Sequence, residues 1–343
     1  MENENRTTIP DTMRASVLTG VRTIAVETRP VPRPRPDEVL VRVASVGVCG
    51  SDAHYYAHGR IGEFVVEAPL VLGHEAAGTI VAVGESVPAS RVGSRVSIEP
   101  QHPNPHSQWS REGRYNLDPD VEFYATPPID GAFCEYVTIR SSFAYDIPDQ
   151  MSFDAAALFE PLSVGIAAAR QGRLSPGETV LIAGAGPIGL MCAQVARAYG
   201  ATTVLVVEPD AGRRARATEF GATDVFAPDA VPGEIDAHVF IDASGAPAAI
   251  RSGIEALRSG GRCVLVGMGP DEGELPLSRI RNRELELIGV FRYANTWPTA
   301  RELADAGLVD LDRMVTGRFG LEAAADAIEA SLDPASIKIV VTP

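Results

Sequence analysis

The chain has 343 residues, 45% of them hydrophobic, enough to build the cores of two domains. Its formal net charge of −15, with no run of Lys or Arg, excludes a phosphate-backbone binder, so no nucleic-acid partner is expected. No apolar run approaches the length of a membrane span, and the acidic start Met1-Glu2-Asn3-Glu4 lacks an apolar leader core, so no membrane partner and a cytoplasmic location are expected.

In chain order, Pro30, Pro32, Pro34 and Pro36 give an extended lead-in. Segments 38–47 and 78–83 then carry strand patterning broken by glycine. From Glu99 to Gly131 the composition turns polar and rich in proline, which predicts an irregular lobe outside the core. Strand candidates at 179–183, 203–208, 239–242, 262–267 and 284–290 alternate with helical patterns at 188–199 and 248–258, the signature of a parallel, doubly wound sheet over about 163–290. Amphipathic stretches at 298–306 and 321–332 and a terminal strand at 337–341 are expected to return to the first domain. Cys49, Cys134, Cys192 and Cys263 show no paired spacing, which suits reduced thiols. Lys338 is the only lysine, and the preference for Arg elsewhere reads as coding bias with no function attached.

Two constellations carry chemistry. Gly184-Ala185-Gly186-Pro187-Ile188-Gly189 follows a strand and opens a helix. There Gly184 permits the tight turn, Gly186 gives backbone amides access to a pyrophosphate and Gly189 allows close helix–strand packing. Glu208, at the end of the next strand, suits the adenosine ribose hydroxyls and would repel a 2′-phosphate, favouring NAD over NADP, although Arg213 and Arg214 nearby could pair with that phosphate. The second constellation is Cys49 with Gly73-His74-Glu75 and, further on, Glu160-Pro161. Thiolate, imidazole and carboxylate are the ligand types of a catalytic Zn²⁺ that leaves a fourth position open. Together the two point to zinc-assisted hydride transfer.

The residues 47–52 (Gly-Val-Cys-Gly-Ser-Asp), the Gly-His-Glu signature, Glu160-Pro161 and the glycine turn resemble the zinc-dependent medium-chain dehydrogenases over essentially the whole chain. His54-Tyr55, 59–62, 113–116, 125–128, 160–165 and 289–298 resemble more narrowly the sorbitol/xylitol (polyol) branch. The resemblance implies an α/β protein with a GroES-like, β-rich catalytic domain (1–162 and 291–343) and a doubly wound Rossmann NAD-binding domain (163–290), commonly assembled as a homotetramer. It makes Cys49, His74 and Glu75 zinc ligands, with Glu160 binding directly or through water. Tyr55, Phe123, Arg292 and Tyr293 would line a polyol/ketose site. Gly184, Gly186, Pro187, Ile188, Gly189, Glu208, Arg213, Val266, Gly267, Met268, Val290 and Phe291 fall at NAD-contacting positions.

Ser51 is a candidate proton acceptor, relaying through the cofactor ribose to His54. Many relatives carry four closely spaced cysteines for a structural zinc, but 101–120 has none, so one zinc per subunit is expected. Zn²⁺ with the Cys49 thiolate and Glu75 carboxylate sums to zero charge and keeps Lewis acidity. Sister activities on threonine, butanediol or aminocyclitols share zinc and NAD. A non-catalytic nucleotide-binding descendant is opposed by the presence of all four metal-site residues and the three turn glycines.

Overall fold

The computed structural model describes residues 9–233 and 235–343. The chain separates into two compact units, one of residues 1–160 and 311–343 and the other of residues 161–310.

The first unit is built on a seven-stranded sheet. Its spatial order is Ala144–Asp146, Arg95–Ile98, Glu75–Val83, Glu38–Gly47, Lys338–Thr342 and Val315–Gly320, with Tyr136–Arg140 also pairing Glu38–Gly47. Alternating Val39, Val41 and Val43 bury one face of the central strand against Ala76, Ile80 and Val96, as the period of two requires. Ile328 of helix Ala324–Ser331, with Ile339 and Val341, enters the same core, so the chain's end does return to the first unit. Val315–Gly320 pairs in parallel with Lys338–Thr342; its Gly-bounded sequence gives a weak strand signal and was not anticipated.

One expectation is corrected. Residues 291–310 group with the second unit rather than with the terminal one. Helix Trp297–Asp305 is anchored there by Arg170 donating to Asn295 O at 2.9 Å and Thr299 Oγ1 at 2.8 Å, and by Asp310 N donating to Gln194 at 2.6 Å. The 99–131 stretch is largely exposed or half-buried, as its polar composition predicts, although Gln101, Tyr115, Phe123 and Tyr124 within it are buried. Glu99 is wholly buried and accepts from Tyr115 Oη at 2.7 Å, Tyr145 Oη at 3.1 Å and Gln101 Nε2 at 3.1 Å, and those bonds let a polar segment pack inward.

The second unit is a six-stranded parallel sheet in the order Asp224–Phe226, Thr203–Val207, Thr179–Ala183, Ala237–Asp242, Leu257–Leu265 and Glu286–Gly289. In chain order that is 3-2-1-4-5-6, the doubly wound Rossmann order, whose switch point lies at the first strand. Helices Pro187–Ala198 and Pro247–Glu255 cover it. Among the described residues no helix is long and apolar enough to cross a membrane.

Candidate metal centre and nucleotide turn

Strand Glu38–Gly47 leads into helix Gly50–His58, whose N-cap is Cys49. Strand Leu70–Val71 leads through Gly73 into strand Glu75–Val83, whose first residue is Glu75. Gly73 has φ 85°, and a Cβ there would lie 2.5 Å from the Phe133 ring, so only glycine makes this turn. One buried carboxylate joins the two segments: Asp52 accepts from Cys49 N at 2.9 Å and from Gly73 N at 2.9 Å. Burial pushes the Asp52 carboxyl up from its ordinary value, opposed by His74 and by those two amides.

The result brings together what the sequence spaces apart. One ligand atom from each of Cys49, His74 and Glu75 lies within 4.8 Å of the others, and it is the one such group among the described residues. His74 and Glu75 are buried, and Cys49 is half-buried. Glu160, in the first turn of helix Phe159–Gln171, places Oε1 4.0 Å from His74 Nε2. Phe123 packs its ring 5.4 Å from that of His74.

Lys338 is the residue that sequence reasoning passed over. Its Nζ donates to Glu75 Oε1 at 2.5 Å and to Val48 O at 2.8 Å. Burial pulls this ammonium down, but Glu75 above all, then Cys49, hold it above its ordinary value. The one signal available was that the only lysine of an Arg-rich chain stands in an apolar terminal strand.

The donor set fits a divalent cation. Glu75 Oε2 is buried with no hydrogen-bond partner, a costly state for a carboxylate oxygen unless a cation satisfies it. Desolvation pushes the Cys49 thiol up to about 11, Glu75 adds repulsion, and Lys338 and the Ser51 hydroxyl oppose. A thiolate here therefore calls for more positive charge than Lys338 provides, and soft sulfur with imidazole and carboxylate suits zinc. Cys134, Cys192 and Cys263 are buried free thiols.

Of the other candidates in this unit, Tyr55 is buried on the helix that Cys49 caps, while His54 is exposed with its ring 5.8 Å from His58.

In the second unit, Gly184 turns with φ 98°, and a Cβ on Gly189 would lie 2.0 Å from Gly184 O. Gly186 caps the helix that begins at Pro187, with Ile188 half-buried in its first turn. Glu208 accepts from Ala185 N at 2.8 Å and Asp210 N at 2.9 Å. Gly184, Gly186, Glu208, Arg213 and Ser244 line a cavity of about 580 Å³. Val266 and Gly267 donate to Asp242 O, and Val290 donates to Leu265 O, at the carboxyl ends of the strands where doubly wound sheets bind ligands. Met268 and Phe291 leave apolar side chains 60% and 52% exposed at those ends. Arg292 has φ 52° with its guanidinium 4.9 Å from the Phe291 ring, and buried Tyr293 packs on Trp297 at 5.1 Å.

The alcohol dehydrogenase GroES-like domain matches residues 35–149, and the zinc-binding dehydrogenase domain matches residues 187–306. The chain is 44% identical over 336 residues, 95% of each chain, to sorbitol dehydrogenase of Bacillus subtilis strain 168. Among solved structures it is similar to a protein of Sinorhizobium meliloti 1021 described as a zinc-binding dehydrogenase and bound to NADP, with TM-score 0.90, 30% identity, and 97% and 100% of the two chains covered. It is also similar to an alcohol dehydrogenase of Escherichia coli CFT073 complexed with NADH, with TM-score 0.91, 28% identity, and 97% and 100% covered. A GroES-like domain followed by a Rossmann sheet, with a sulfur–imidazole–carboxylate cluster in the first, defines the class as zinc-binding dehydrogenase. The chain belongs to the zinc-dependent medium-chain dehydrogenase family, on its sorbitol dehydrogenase branch.

Proposed function

We propose that this chain interconverts a polyol and a ketose, oxidising a secondary hydroxyl of a sorbitol- or xylitol-like substrate with NAD⁺. The observation that carries the reading is the convergence of Cys49, His74 and Glu75 around a buried, unpartnered Glu75 Oε2, in a chain 44% identical to a sorbitol dehydrogenase. Cys49, His74 and Glu75 would hold one catalytic zinc per subunit, with Glu160 as an exchangeable or water-bridged neighbour. When bound, Zn²⁺ supplies Lewis acidity that eases loss of the substrate's hydroxyl proton, and NAD⁺ supplies the hydride acceptor.

The chain's own residues supply the rest. Ser51 takes the hydroxyl proton, and exposed His54 passes it to solvent. The Glu208 carboxylate on the nucleotide cavity supports NAD over NADP, since a 2′-phosphate beside it would meet like charge. We assign Gly184, Gly186, Pro187, Ile188, Gly189, Arg213, Val266, Gly267, Met268, Val290 and Phe291 to the cofactor. Tyr55, Phe123, Arg292 and Tyr293 we assign to the substrate, on the resemblance to the polyol branch. A site of this kind leaves buried polar groups unpaired when it meets a simple alcohol, and rejects it for that reason. The same resemblance supports a cytoplasmic homotetramer.

NAD⁺ reduction followed at 340 nm against sorbitol, xylitol, arabitol, galactitol, threonine, butanediol and ethanol, before and after chelation and zinc restoration, tests the reading. Turnover of polyols that is lost on chelation, returns with zinc and is weaker with NADP⁺ is expected. Turnover confined to threonine, butanediol or ethanol overturns the polyol assignment, and chelator-insensitive turnover overturns the metal. Light scattering on the same preparation checks the assembly against a 36.3 kDa subunit.

A further inference from the structure

Lys338 is the single lysine in a chain whose Lys and Arg together number 30, and it is only 3% exposed. A buried ammonium needs a reason, since taking it out of water is costly unless its donors are placed. Here they are. In the sheet, Glu75 stands opposite Gly47, and Gly47 stands opposite Val340 on its other side. A Cβ on Gly47 would lie 2.0 Å from Glu75 Oε2, so the absence of a side chain at that position makes the room into which Glu75 extends. From the strand beyond, Lys338 Nζ holds Glu75 Oε1 at 2.5 Å and the carbonyl of Val48 at 2.8 Å. One ammonium thus grips a carboxylate of the metal cluster and the backbone immediately before Cys49. Arginine, used for every other basic position of the Lys and Arg set, is a planar fork; a compact point charge with three donors fits this corner.

Resting on the zinc reading above, we infer that Lys338 is the positioning residue of the metal centre: it fixes the Glu75 carboxylate, leaves that carboxylate one uncommitted oxygen, and adds a positive charge beside the ligand set. The charge sum changes accordingly. Zn²⁺, the Cys49 thiolate and the Glu75 carboxylate sum to zero, and Lys338 makes the centre cationic. Glu160 can then approach without turning the centre negative. Partners that orient ligands in this way are worth roughly 10–100-fold in metal affinity.

The test has two parts. In the first, zinc is competed from the full-length chain, from Lys338→Met and from Lys338→Arg with a chromophoric chelator, and the Co²⁺-substituted forms are compared by visible spectrum. Lys338→Met is expected to hold zinc about 10–100-fold more weakly with altered cobalt bands, and Lys338→Arg to recover part of the loss by restoring charge. Zinc competition and cobalt bands unchanged in both variants, whatever happens to their melting temperatures, overturn the inference and leave the zinc reading standing. A parent chain that takes up no zinc overturns both. The second part needs no variant. With one lysine, [¹⁵N]lysine labelling gives a single side-chain ammonium resonance, expected to shift on chelation and to return on zinc restoration; a resonance indifferent to zinc overturns the inference.

Discussion

The Ser51 hydroxyl hydrogen-bonds the Cys49 sulfur, which helps restrain the rise of that thiol's pKa. As the proton acceptor of the reaction it would have to exchange that bond for the substrate hydroxyl. Replacing it separates the two duties. Ser51→Ala is expected to lower turnover on the order of 10²-fold, the typical worth of a positioned acid–base group, while zinc content per subunit stays at the parent level. Unchanged turnover sinks the relay. Zinc content that falls along with turnover would make Ser51 a support for Cys49 instead. The three cluster residues were legible in the sequence because polar groups interrupt an apolar strand at Gly73-His74-Glu75 and a lone thiol sits at a helix start. Asp52 and Lys338 were not legible as partners, because their bonds reach 21 and 263 residues along the chain, and local pattern carries no information at such separations.

Among the elements, the strand–turn–helix from Thr179 to Ala198 shows how two glycines of one motif do different work. A Cβ on Gly189 would strike the Gly184 carbonyl at 2.0 Å, backbone against backbone, whereas a Cβ on Gly186 would meet nothing within 4 Å. Gly189→Ala should therefore lower the melting temperature through an overpacking cost of about 1–3 kcal/mol. Gly186→Ala should leave the melting temperature at the parent value and weaken NAD binding by about tenfold or more, because its methyl takes the space of the pyrophosphate. Thermal melts and NAD titrations on both variants decide it, and the reverse pattern would remove the turn from the cofactor site. Five of the six parallel strands were readable from alternation with helices, with ends moved by up to five residues, but the short edge strand Asp224–Phe226 was not anticipated. Val315–Gly320 escaped because glycines at both Gly317 and Gly320 dilute its pattern, and its partner Lys338–Thr342 supplies the pairing that its own residues do not advertise.

For the whole molecule, the switch between strand-rich and alternating patterning pointed to two units, but the second boundary falls near 310, where Arg170 and Gln194 hold the 295–310 stretch to the second unit through bonds that cannot be read from spacing. The 99–131 segment is largely exposed or half-buried, as its polar composition suggests, yet Glu99 at its start is fully buried. That carboxyl has a consequence for global stability. Burial pushes it up to about 7, outweighing the hydroxyls of Tyr115 and Tyr145 and the amide of Gln101, which favour its charged form. In the unfolded chain Glu99 titrates near its ordinary 4.5, so between 4.5 and about 7 the folded state keeps a proton that the unfolded state has lost. Its contribution is then fully present below 4.5 and is lost as pH rises through about 7, a decline on the order of a few kcal/mol. Glu99→Gln removes the titration while keeping a planar group that the two tyrosines can still reach. Across that window the variant's melting temperature, measured against the parent's so that the remaining carboxylates cancel, should fall less steeply with rising pH. Parallel curves for variant and parent would show that Glu99 ionises alike in the folded and unfolded chain, and that the three donors around it are enough to hold a charged carboxylate in the interior.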